Sequence, residues 1–199
     1  MKRRALLAVP ALLAGCGLSE RPYAERRQWP LAIARPDPRP LRAHGRVLLV
    51  RAIRAGPGLD ARGLQAIQPD GSIRTEFYEE WAVAPAEGVE DALRRWLGAS
   101  GLFAAVIAPG SRLAADLTLE GELDALWTEP DKGIAHASLA IAVLNSYTGS
   151  ATVRLARTFS AAVPLAGATP PDEVAAMRAA LADVFRQIEL ALASTERRR

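Results

Sequence analysis

From residue 113 to residue 127, apolar and polar side chains alternate. Leu113, Ala115, Leu117, Leu119, Leu123, Ala125 and Trp127 interleave with Asp116, Thr118, Glu120, Glu122 and Asp124. A period of two fits a strand with one buried and one wetted face, and no helix can hold it. Glu129-Pro130-Asp131-Lys132-Gly133 follows as a turn. Ala135, Ala137, Leu139, Ile141 and Val143 then resume the alternation on a return strand. Tyr147 to Ser150 reads as the next turn, and residues 152–163 as a third strand. Three strands joined in this way predict an antiparallel meander, which buries one face only if other elements cover it.

Two helices supply the cover. Pro85 opens the first, which runs to about Ala99, with Val89, Leu93, Trp96, Leu97 and Ser100 on one face and Gly101 as its stop. Pro170 and Pro171 announce the second, with Thr169 as its cap and Asp172 and Glu173 at its positive end. Its apolar stripe is Val174, Met177, Leu181, Val184, Phe185, Ile188 and Leu192. Ahead of them, GRVLLVRAIRA (45–55) reads as a buried strand. Residues 63–67 and 73–81 read as a hairpin about Pro69-Asp70-Gly71, and residues 103–107 as a short strand. The predicted fold is α+β: a mostly antiparallel sheet with two main helices packed against it.

The N-terminus has a different character. Lys2, Arg3 and Arg4 precede an apolar run from Ala5 to Leu13, then Ala14, Gly15 and Cys16. A charged start, a short apolar run and small residues mark a secretory signal, and the run is about half of the ~20 residues a spanning helix needs. Leu13-Ala14-Gly15-Cys16 resembles the bacterial lipobox, which implies a diacylglycerol on the Cys16 sulfur and cleavage just before it. Cys16 is the only cysteine, so no internal disulfide is available. The expected organisation is a signal peptide over 1–15, a lipidated cysteine with a polar tether over 16–30, one domain over 31–193 and a frayed basic tail over 194–199. Leu31 to Ile33 reads as a short first strand, and Pro36 to Pro40 as an irregular connection.

Charge narrows the function. Of 25 Lys+Arg, three lie in the signal, which leaves 22 against 22 Asp+Glu. A neutral mature chain gives no ground for nucleic-acid binding. No nucleophile elbow, phosphate loop, dinucleotide fingerprint or metal-ligand spacing is present, and neither catalytic, cofactor nor metal residues are assigned. His136 shares a strand face with Ser138 but lacks a catalytic motif, and His44 lies in the connection. Asp116, Glu120, Glu122 and Asp124 share one strand face, which reads as solvated rather than cation-binding. Among the aromatics of residues 75–81, Trp81 is expected under the first helix. Tyr78 is a candidate for a partner surface, and core packing is the expectation for the rest.

Several short elements, in order, carry a resemblance. They are Pro57-Gly58-Leu59-Asp60, then Trp81-Ala82 with the following helix, then Ser100-Gly101-Leu102-Phe103-Ala104-Ala105-Val106. After these come Ala114 to Leu119, Thr148-Gly149, and Arg157-Thr158-Phe159-Ser160-Ala161. Over about residues 31–193 the chain resembles the ABC-type transport auxiliary lipoprotein component family, the paraquat-inducible protein C-like group. It departs from the family pattern after Trp81, where Val83 and Ala84 stand. The resemblance implies a non-catalytic, membrane-anchored accessory lipoprotein of an ABC/MCE-type system that moves phospholipids or other lipids between membranes. Its implied partners are an MCE-type substrate-binding protein and the ABC transporter complex, with a homo-oligomer left open. Gly17, where an aspartate would retain a lipoprotein in the inner membrane, implies the outer membrane facing the periplasm. The rival readings are an assembly lipoprotein for lipopolysaccharide or β-barrel insertion and a periplasmic hydrolase.

Overall fold

A computed structural model describes residues 25–146 and 152–197. The strands are β1 (Arg27–Trp29), β2 (Val47–Ala55), β3 (Gly63–Ile67), β4 (Ile73–Trp81), β5 (Ala105–Ile107), β6 (Leu117–Glu129), β7 (Ile134–Asn145) and β8 (Thr152–Pro164). The helices are α1 (Pro85–Gly98) and α2 (Pro170–Arg197). The fold is α+β, an eight-stranded mixed sheet, mostly antiparallel, with both helices packed on it.

The meander is as expected: β6 pairs antiparallel with β7, and β7 with β8. Pro130 opens a single 3-10 turn between β6 and β7, and Gly133 closes it at φ 65°. The expected turn over 147–150 lies outside the described residues. On β7, Ala135, Ala137, Leu139, Ile141 and Val143 are all buried, against the apolar stripe of α2. α1 lays Val89, Leu93, Trp96 and Leu97 over Leu48, Val50 and Ile53 of β2. Trp96 meets Phe185 edge to face at 5.8 Å, which joins the two helices. A buried Leu, Ile or Phe side chain contributes about 1.5–3 kcal/mol, so this shared core dominates the stability of the domain.

The far edge of β6 is divided. Its first half pairs in parallel with β2, which in turn pairs in parallel with β5, while Thr128 pairs with Ala66 of β3. The parallel pairs need a crossover, and α1 supplies it between β2 and β5.

Several expectations are corrected. β6 starts at Leu117, and Leu113 is exposed. The alternation also breaks inside β6. An irregularity between Leu123 and Ala125 shifts the register by one, so Leu126 and Thr128 turn inward in place of Trp127. Arg27 to Trp29, counted with the tether, form β1, whereas Leu31 and Ile33 are buried outside any strand. α2 runs on to Arg197, past the expected start of the tail, where Glu196 forms a two-pronged ion pair with Arg46. Thr169 stands at the cap of α2, where its carbonyl accepts Glu173 N–H at 3.0 Å and its N–H donates to the Asp172 carboxylate at 3.3 Å, but its hydroxyl donates to that carboxylate at 2.5 Å. The Pro36–Pro40 connection is pinned, because Arg39 N–H donates to Ala99 O and Arg42 N–H to Phe103 O. Just before it, Arg35 grips Glu189 of α2 through Nε and Nη2 at 3.0 and 3.1 Å. The same carboxylate accepts Trp96 Nε1–H at 2.8 Å.

Candidate interaction surface

The described chain begins at a staple. β1 lies parallel to the last three residues of β4. Arg27 Nε donates to Glu79 Oε1 and Trp29 Nε1 to Glu79 Oε2, each at 2.7 Å. Gln28 Nε2 donates to Glu80 at 2.8 Å, and Arg62 pairs with the same carboxylate at 3.1 Å. Charge-assisted bonds of this kind are among the stronger polar contacts. They fix where the N-terminal segment leaves the domain.

Beside that exit, β4 carries an apolar patch. Phe77 is 66% exposed and Tyr78 48%, while Ile73, 53% exposed, stands four residues back at the start of β4. Phe77 and Tyr78 pack edge to face at 5.0 Å, and the Arg26 guanidinium lies 4.6 Å from the Phe77 ring centre. The helices cover β2 and β5 to β8, so this half of the β3–β4 hairpin projects past the core. Trp81 is buried as expected. Tyr78 lies at the surface as a partner residue would, but Phe77, expected in the core, is beside it.

The second surface is the helix-free face of the sheet. A groove of about 660 Å³ crosses β2, β6, β7 and β8. Its floor is Ala52, Gly121, Ala140, Ala142 and Ala156, and its rim carries Arg51, Arg54, Arg157, Glu120 and Glu122. The four acids of this strand do not converge. Asp116 accepts Val47 N–H at 2.8 Å, Glu120 lies 3.8 Å from Arg51, and Glu122 lies 3.3 Å from Arg54. Asp124 sits at the register shift, where burial, and then Glu122, raise its carboxyl above the usual range. Among the described residues no group of three His, Cys, Asp or Glu side chains is placed to hold a metal ion.

His136 Nε2 lies 2.8 Å from Glu129 Oε1, within ion-pair reach but misaligned for a hydrogen bond. Glu129 is also bound by Lys132, whose hydrogen bond is the main cause of its lowered carboxyl pKa. Among the described residues His136 has no hydrogen-bonded serine. His44 is exposed. Cys16, the one assigned site residue, lies outside the described residues, and no helix among them is long and apolar enough to cross a membrane.

Glu173 is buried in the first turn of α2, and its carboxylate takes no hydrogen bond or ion pair within the described residues. Burial raises its pKa; Arg74 opposes the rise, and Glu76 and Glu79 add to it. A raised carboxyl pKa means the ionised form costs stability in the folded state. That cost is present at neutral pH and fades as pH falls through the folded pKa towards the unfolded value. Glu173→Gln is therefore expected to raise the melting temperature at neutral pH. The gain over the parent should shrink as the solution is acidified, which a series of thermal melts checks.

Comparisons place this geometry among known proteins. Residues 31–189 match the family model described as ABC-type transport auxiliary lipoprotein component. Among curated proteins, none matches the chain. Protein XCC0632 from Xanthomonas campestris has a similar fold, with a TM-score of 0.68 and 21% identity over 83% of this chain and 94% of that one. An uncharacterized protein is similar with a TM-score of 0.66 and 16% identity, covering 83% of this chain and 97% of its own. Hypothetical protein CT253 from Chlamydia trachomatis follows with a TM-score of 0.53 and 11% identity, covering 75% and 99%.

Proposed function

The chain belongs to the ABC-type transport auxiliary lipoprotein component family, and from that premise we propose that it is the accessory lipoprotein of an ABC/MCE-type system that moves phospholipid or other lipid between membranes. The observation that carries this reading is the extent of the family match, which runs from the segment before β2 almost to the end of α2. The role is one of binding and placement rather than catalysis. Lipid on Cys16 holds one end at a membrane, the outer one by the absence of aspartate at position 17. The folded domain then engages the transporter or its MCE-type substrate-binding protein. A sheet face that neither helix covers supports the docking half of this reading, since a specific contact typically buries about 1,200–2,000 Å² in total.

The test is genetic. Loss of this chain and loss of its transporter are expected to weaken the envelope barrier equally, and combining the two losses should add nothing.

A further inference from the structure

We propose that the Phe77 and Tyr78 patch on β4 rests on the bilayer surface and sets the orientation of the domain there. The inference rests on the membrane attachment of Cys16 proposed above. Nine residues lie between Cys16 and Arg26, and the ten steps from one to the other span at most about 35 Å. Arg26 stacks on Phe77. Whatever path the chain takes, the Arg26 backbone therefore stays within about that distance of the Cys16 backbone, and Phe77 lies one arginine side chain further on. The staple of β1 to Glu79 and Glu80 keeps this exit from swinging away from β4.

The chemistry suits the interface between headgroups and acyl chains. An exposed phenylalanine beside a half-exposed tyrosine matches the apolar body and polar tip that aromatic side chains present at membrane surfaces. The charges around the patch are paired: Arg74 with Glu76, Arg27 with Glu79, and Arg26 with Glu80, which Arg62 shares. The attraction is accordingly apolar, and it does not select anionic headgroups. Two side chains make a weak contact on their own. Attachment through Cys16 makes the contact intramolecular, so a weak one suffices.

The experiment uses the chain from Cys16 onward, coupled through its only cysteine to phosphatidylcholine vesicles that carry maleimide headgroups. The described domain has its own closed core, so it needs no natural acylation to fold. Phe77→Trp is the reporter, Leu190→Trp on exposed α2 is its counterpart, and emission from the native tryptophans is subtracted with the parent chain. Acyl-brominated lipid is expected to quench Phe77→Trp, seated at the depth where aromatic side chains collect, and to leave Leu190→Trp unchanged. The quenching should persist at about 1 M salt, where the screening length is about 3 Å. Tyr78→Trp gives the same reading if Phe77→Trp does not fold. Absent quenching, equal quenching at Leu190→Trp, or quenching abolished by salt would each overturn the proposal. So would a reporter shielded only when transporter subunits are added, which would assign the patch to a protein partner. Natural acylation of Cys16 is read separately by palmitate labelling, so failure of the anchor and failure of the patch are distinguishable.

Discussion

Cys16→Ser is expected to move the protein entirely from the membrane to the soluble fraction, with no change in its melting temperature. The sulfur is the attachment atom of the lipobox reaction, and a serine hydroxyl does not take its place. Each acyl methylene contributes about 0.8 kcal/mol of membrane affinity, so the loss of several chains outweighs any contact the domain makes by itself. The fold should not register the change. The core runs from Leu31 to Leu192, and Cys16 precedes the first described residue by nine positions. Metabolic labelling with a palmitate analogue, followed by flotation, reads the outcome. Undiminished labelling of the variant would remove Cys16 as the anchor.

Gly121→Val should produce one of the largest losses of stability among single substitutions in the sheet, because Gly121 lies on the core-facing side of β6 between Ile53 and Ile141. Gly121 lies mid-way along β6, opposite Ile141. A Cβ at this position would overlap the Ala140 carbonyl oxygen and approach Ile141 Cδ1 to 2.9 Å. The first of these atoms is backbone in a paired strand and cannot step aside without breaking the β6–β7 ladder. The expected cost is about 3–5 kcal/mol, against a total of about 5–15 kcal/mol for a domain. At about 2–4 °C per kcal/mol for a chain of this size, the melting temperature falls by roughly 6–20 °C. Gly98→Ala is the contrast. It lies at the end of α1 with nothing within 4 Å of an added Cβ, and the same melt should show a rise or no change. Equal melting of Gly121→Val and parent would mean that β6 and β7 are not packed at this register.

How much of this was legible depends on whether a local pattern or a distant contact decides the outcome. β7 could be read residue by residue, because α2 covers one face along its whole length and every inward position had to be apolar. The stripe of α2 was legible for the same reason. Trp127 was not, because one extra residue near Asp124 reverses the faces of β6 and leaves no mark in composition. β1 was hidden in a polar stretch: Arg27 and Gln28 are held by Glu79 and Glu80, some fifty residues away, rather than by apolar burial. α2 is helical to Arg197, with Glu196 paired to Arg46 across the fold, where three terminal arginines suggested fraying. The parallel pairing of β2 depends on a crossover, which strand patterns alone do not encode. At the candidate surface, Phe77 looks like core in sequence, and only the extent of the helices' cover decides that it is exposed. Cys16 lies outside the described residues, and its assignment rests on the signal sequence alone.

The central claim is that this protein acts as the accessory part of a lipid-transport system and not as a machine of its own. The most direct test measures entry of detergent or a hydrophobic dye in three strains: one lacking this chain, one lacking its MCE-type partner, and one lacking both. The predicted result is the same increase in permeability in all three, with the chain crosslinking in cells to transporter subunits. An additive increase in the double deletion, with crosslinks only to lipopolysaccharide or β-barrel insertion machinery, would contradict it.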